Sequence, residues 1–107
     1  MKAWEIWSLH PAGWPEPHPC VIVSSSQRVA NKPEVNVLLC ASRQATRPAL
    51  EYEVILDAAD GLDWPTLCKC DLIHMVPKAV LKNLRGTVTP ERRAAIIRTI
   101  NRANGWV

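Results

Sequence analysis

Thr66 to Val76 reads TLCKCDLIHMV and ends against Pro77. Apolar residues dominate it, neither glycine nor proline interrupts it, and it reads as a strand. Residues two apart on a strand share a face, roughly 6.5–7 Å from one another. Lys69 and Asp71 therefore stand together on one face, while Cys68, Cys70 and Leu72 point to the other. The second set is apolar and suits a core.

Upstream of this stretch the same kind of segment recurs. Ala3–Leu9 (AWEIWSL), Pro19–Ser24 (PCVIVS), Val35–Ala41 (VNVLLCA) and Tyr52–Leu56 (YEVIL) each read as a strand. Polar or proline-rich segments separate them. His10–Pro19 (HPAGWPEPHP) holds four prolines and can neither continue a ladder nor begin a helix. Ser25–Glu34 (SSQRVANKPE) and Ser42–Ala49 (SRQATRPA) read as loops, and Asp57–Pro65 (DAADGLDWP) carries turn signals.

Downstream of Pro77 the period changes. Lys78–Asn83 (KAVLKN) reads as a short helical turn, and Arg85-Gly86 as a break. Thr89 is a good N-cap, with Pro90 at the first helical position and Glu91 in the first turn. Ala94, Ala95, Ile96, Ile97 and Ile100 form a wide apolar stripe, and Gly105 closes the helix. The predicted fold is mainly β, a single domain over residues 1–107. It has about five strands in a small, strongly bent sheet or barrel, a short helix and a C-terminal helix.

A chain of 107 residues, 48% of them hydrophobic, can bury one modest core. The net charge of +3 permits an acidic partner or nucleic acid without demanding either. Met1–Val23 carries Glu5, His10, Glu16, His18 and several prolines, so it does not form the apolar stretch of a signal peptide. No run reaches the ~18 apolar residues of a membrane span, and a cytoplasmic location is expected. Cys20, Cys40, Cys68 and Cys70 lie in apolar runs and are expected as buried free thiols. Cys68-Lys69-Cys70 has one intervening residue, where structural zinc sites usually have two to four; no metal is expected.

The chemistry centres on Lys69 and Asp71. A carboxylate beside a cation can take a proton from a ribose 2′-hydroxyl while the cation stabilises the phosphate or protonates the leaving oxygen. The same pair also suits an ordinary solvated face. His18, in the proline loop beside a buried strand, can move protons or bind phosphate near neutral pH, or be a surface histidine. Ser42, Arg43 and Arg47, with Arg28 and Lys32, would bind phosphate or simply keep loops soluble. Trp14 would stack on a base if exposed, or pack down over the core.

The order of these signals resembles the MazF/PemK toxin family along nearly the whole chain. The matching pieces begin with Glu5-Ile6-Trp7, Gly13 and His18 to Ser24. They continue with Leu38 to Arg43, Tyr52 to Leu56, Gly61-Leu62-Asp63 and Lys69-Cys70-Asp71-Leu72-Ile73. Val76-Pro77-Lys78, Leu81 and Gly86 to Glu91 complete the series. The resemblance implies an SH3-like barrel that forms a homodimer. It implies cofactor-free cleavage of single-stranded RNA to a 2′,3′-cyclic phosphate and a 5′-hydroxyl, and neutralisation by a cognate antitoxin. It assigns catalysis to Asp71, to Lys69 at a position usually held by Arg, and to His18 as the candidate loop histidine. RNA binding falls to Arg28, Ser42, Arg43, Arg47, His74 and Lys78. This chain departs from the family pattern in reading His18-Pro19 for Arg-Pro, Ser42 for Thr, and Leu72-Ile73-His74-Met75 for Gln-Ile-Arg-Thr. Lysine in place of arginine gives up bidentate phosphate geometry. A CcdB-like gyrase-binding toxin is the rival, kept open by the ending Gly105-Trp106-Val107. A degenerate member that only binds RNA or antitoxin is a third reading.

Overall fold

Six strands and two helices make up the computed structural model, which describes residues 1–10, 12–42 and 47–106. In chain order they are β1 (Glu5–Leu9), β2 (His18–Ile22), α1 (Ser26–Asn31), β3 (Glu34–Ser42), β4 (Glu53–Leu56), β5 (Thr66–Pro77), β6 (Leu81–Thr87) and α2 (Pro90–Asn104). The strands form one antiparallel sheet in the order β4-β5-β3-β2-β1-β6. The expected mainly-β fold with a C-terminal helix is thus found, with six strands in place of five. The ladder does not close, since β4 and β6 are its two edges.

Both faces of the sheet carry core. On β2, Val21 belongs to one buried cluster, while Cys20 and Ile22 belong to another. On β3, Leu38 and Cys40 join the first, Val35 and Val37 the second. This is the two-residue alternation of a strand. The first cluster is completed by Leu56, Leu62, Cys68, Cys70 and Val88, with Ile96 and Ile100 of α2, which packs over β4 and β5. The second takes in Val29 of α1 and Leu81 of β6.

The edges of the sheet meet through one polar hub. Asp57 caps a 3-10 turn over Ala58–Asp60. The Asp60 carboxylate, almost wholly buried, accepts hydrogen bonds from the backbone N–H groups of Asp57 and Thr89 at 3.0 Å each and from Arg92 at 2.6 Å. Arg92 also reaches Asp57 at 3.0 Å. This ties the turn after β4 to the start of α2. Gly86 of β6 lies so close that a Cβ there would sit 2.0 Å from the Asp60 carbonyl oxygen.

Several expectations change. Ser25–Glu34 holds α1: the Ser25 side chain accepts from the Arg28 N–H, and Val29 is buried, so a cap and one anchor make a helix of a polar segment. The helical turn expected over 78–83 is a 3-10 turn of Lys78–Val80 only, after which β6 runs through the expected break at Arg85-Gly86 and pairs with β1. The Thr89 cap, Pro90 and the left-handed Gly105 stop stand as read. The buried face of α2 is Ile96, Thr99 and Ile100; Ile97 is exposed. The four cysteines are free and buried.

Candidate functional site

β5 contains an irregularity that shapes the site. Leu38 of β3 pairs with Ile73, and Cys40 pairs with Cys68, so two steps on β3 face five on β5. The surplus residues lie within Lys69–Leu72. Bulges re-aim side chains and gather at functional sites. Here the odd surplus also exchanges the faces of the strand. Before it, Cys68 and Cys70 join the α2-side core; after it, Val76 packs on the opposite core, and His74 pairs with Val37 of that face. Lys69 and His74 consequently come to one side of the sheet, where unbroken alternation would separate them.

Two clefts result, with Lys69 in the wall of both. One, of about 390 Å³, is lined by Trp14, His18, Leu39, Cys40, Ala41, Lys69, Leu72 and His74. The other, of about 380 Å³, is lined by Leu50, Glu51, Tyr52, Glu53, Lys69 and Asp71. Of the catalytic candidates, His18 and Lys69 share the first cleft, Lys69 and Asp71 the second.

His18 begins β2, and its Nδ1 lies 3.2 Å from the carbonyl oxygen of Cys40. A carbonyl only accepts, so Nδ1 carries the proton and Nε2 is left for chemistry. The Trp14 ring meets the His18 ring edge-on at 4.3 Å between centroids and 78° between planes. The ring of His10 bonds the Trp14 carbonyl, which pins the proline loop at its middle. In the second cleft, Glu53 pairs across the strands with Lys69 and is held by both terminal guanidinium nitrogens of Arg47, at 2.9 and 3.1 Å. Arg47 holds its carboxyl below the ordinary range.

A family profile described as PemK-like, MazF-like toxin of type II toxin-antitoxin system matches residues 2–103. The chain belongs to this PemK-like, MazF-like toxin family. Its fold is similar to that of the Mycobacterium tuberculosis toxin MazF-mt6, with TM-score 0.78 and 22% identity over 94% of this chain and 96% of that one. It is similar to an endoribonuclease solved with its cognate antitoxin from a mycobacterial species, with TM-score 0.81 and 22% identity over 98% and 95%. The MazE-MazF structure from Deinococcus radiodurans gives TM-score 0.76 and 15% identity over 98% and 95%. No curated protein matches the chain.

The remaining candidates of this MazF-like toxin are spread more widely. His74 lines the cleft of His18. Ser42 is exposed at the end of β3, where it accepts from the indole N–H of Trp64 at 3.1 Å and lines neither cleft. Arg47 borders the second cleft through Glu53, its charge met by that carboxylate. Lys78 is at the far end of β5, several strand residues and roughly 20–30 Å from Lys69, with its ammonium on the Val29 carbonyl of α1. Arg28 is in α1, beside a shallow hollow with Ser25, Gln27, Asn31 and Lys32. Arg43 lies outside the described residues. Lining residues with no role assigned from sequence are Tyr52, Glu53 and Leu39. Leu72, expected on the core face with Cys68 and Cys70, is instead 60% exposed in the wall of the His18 cleft, because the bulge exchanges the faces of the strand there.

Beneath the site the thiols are quiescent. Burial and the nearby Cys40 push Cys20 up to about 12. Hydrogen bonding to Cys40 and Cys70, with burial, raises Cys68 as well. Such thiols stay protonated and serve as small core residues. Among the described residues, no helix is long and apolar enough to cross a membrane.

Proposed function

We propose that this toxin is an endoribonuclease that cuts single-stranded RNA without a metal, working as a cytoplasmic homodimer until a cognate antitoxin neutralises it. The observation that carries the reading is Lys69 in the wall shared by two clefts, with Asp71 in one and His18 in the other. A phosphodiester placed against Lys69 would have its negative oxygens at the ammonium. The attacking and leaving oxygens of phosphoryl transfer lie roughly in line, on opposite sides of phosphorus. Asp71 and His18 line different clefts that share Lys69, and the proposal gives one to the attacking oxygen and the other to the leaving oxygen.

The step then balances without further components. Asp71 takes the 2′-hydroxyl proton, and the 2′-oxygen bonds to phosphorus. The bond from phosphorus to the 5′-oxygen breaks, and His18, entering the step as the imidazolium with Nδ1–H held on the Cys40 carbonyl, delivers its second proton from Nε2 to that oxygen. The products are a 2′,3′-cyclic phosphate and a 5′-hydroxyl; solvent exchange resets both side chains.

The test is incubation of the purified protein with a mixed RNA in EDTA, followed by mapping of the fragment ends. Cyclic phosphate and 5′-hydroxyl ends are expected. Asp71→Asn should lower cleavage about a hundredfold or more. Lys69→Arg should keep or raise activity, because guanidinium matches phosphate geometry. Unchanged rates in both Asp71→Asn and His18→Ala would sink the assignment.

A further inference from the structure

Resting on the cleavage reading above, we infer that the cleft between Trp14 and Leu72 is a nucleobase pocket, and that it takes the base immediately 3′ of the cut. The chemistry sets the polarity. If Asp71 activates the 2′-hydroxyl, the nucleoside upstream of the cut lies in the Asp71 cleft. The 5′-oxygen that leaves belongs to the downstream nucleoside, which lies on the His18 side of Lys69.

The walls of that side suit a base. At about 390 Å³ the cleft is at the small end of the roughly 300–1,000 Å³ of small-molecule sites, room for one nucleoside and no run of them. Leu39, Ala41 and Leu72 supply apolar surface, and His74 supplies a ring nitrogen at the edge. Trp14 keeps 37% of its surface exposed although its carbonyl bonds the ring of His10 and its own ring meets that of His18 at 78°. An aromatic side chain held in place yet open to solvent is the arrangement on which unpaired bases stack. The Asp71 cleft also has Leu50 and Tyr52 in its wall, but it exposes less apolar surface and sets the carboxylates Glu51 and Glu53 beside them.

The experiment uses a random-sequence single-stranded RNA pool in EDTA, with both ends of every cut sequenced. Wild type is expected to show a base preference at the position 3′ of the cut. Trp14→Ala should flatten that preference and raise KM roughly ten- to a hundredfold, with little change in kcat, while any preference 5′ of the cut survives. Trp14→Phe should restore both, which separates stacking from loss of fold. An unaltered 3′ preference and KM in Trp14→Ala would overturn the pocket. Loss of preference only on the 5′ side would overturn its polarity. Weakened antitoxin binding with an intact RNA profile would assign the cleft to a protein partner and overturn the proposal. Each of these is read against active wild-type protein, so failure of the pocket is distinct from failure of cleavage itself, which would remove both.

Discussion

Asp60 shows how much one side chain can organise. Its carboxylate is buried, and two backbone N–H groups and a guanidinium converge on it from separate elements. Asp60→Ala removes the partner and leaves those donors facing an apolar void. Breaking a buried ion pair costs about 3–5 kcal/mol, so urea unfolding of this variant should show a stability loss of that size and a lower midpoint. A different measurement probes Glu53. Arg47 holds it below the ordinary carboxylate value, and Arg92 does the same for Asp57. A lowered folded value means that these groups lend stability above the unfolded value of about 4 and lose it as pH falls through the folded one. Melting temperature should therefore drop below about pH 4. Glu53→Gln should melt lower at neutral pH and show a flatter curve across the acid range; parallel curves would refute the assignment. At this scale Lys69 and Asp71 were legible, because strand alternation alone puts them together. The pairing of Trp14 with His18 was not, since a proline loop constrains its own backbone without saying where it folds.

At the scale of elements, patterned segments were read and unpatterned ones were missed. Five strands and the capped C-terminal helix show in apolar runs and in Thr89-Pro90. β6 does not: as an edge strand it buries only Leu81, has Asn83 at φ 55°, and has an irregular register against β1. Its pairing is long-range, and local sequence is silent about that. The glycine that suggested a break is instead a contact. Gly86→Ala would drive a methyl into the Asp60 carbonyl, which is backbone and cannot step aside. Overpacking costs about 1–3 kcal/mol or more. The variant should lose at least that in chemical denaturation, whereas Gly105→Ala, with nothing near its Cβ position, should lose only the smaller cost of its left-handed cap.

For the whole molecule, the resemblance in ordered motifs reached the family and the fold class before any coordinate did, while the exchange of faces in β5 lay beyond it. Composition permitted nucleic acid, and the proposed function puts it at the two clefts that share Lys69. Binding to RNA should weaken with salt by roughly 0.7 log unit per log unit for each single-strand phosphate contacted; an affinity that ignores salt would argue for a protein partner. Ile73 and Met75 follow the bulge and remain 41% and 66% exposed. Apolar side chains left open on a sheet suit pairing with a second copy. Sedimentation should show a dimer at micromolar concentration, and Met75→Glu should shift it toward monomer; a monomeric wild type would contradict the proposed assembly.

The bulge in β5 also constrains how the chain can change in length. Removing or adding one residue within 69–72 would turn His74 and Val76 outward and drive Ile73 and Met75 toward the core position of Val76, so a single-residue indel there should unfold the protein. A two-residue indel keeps the second half of the strand in phase and alters only the bulge that carries Lys69 and Asp71. Length variation tolerated at this place should accordingly come in even steps, changing the cleft while sparing the sheet.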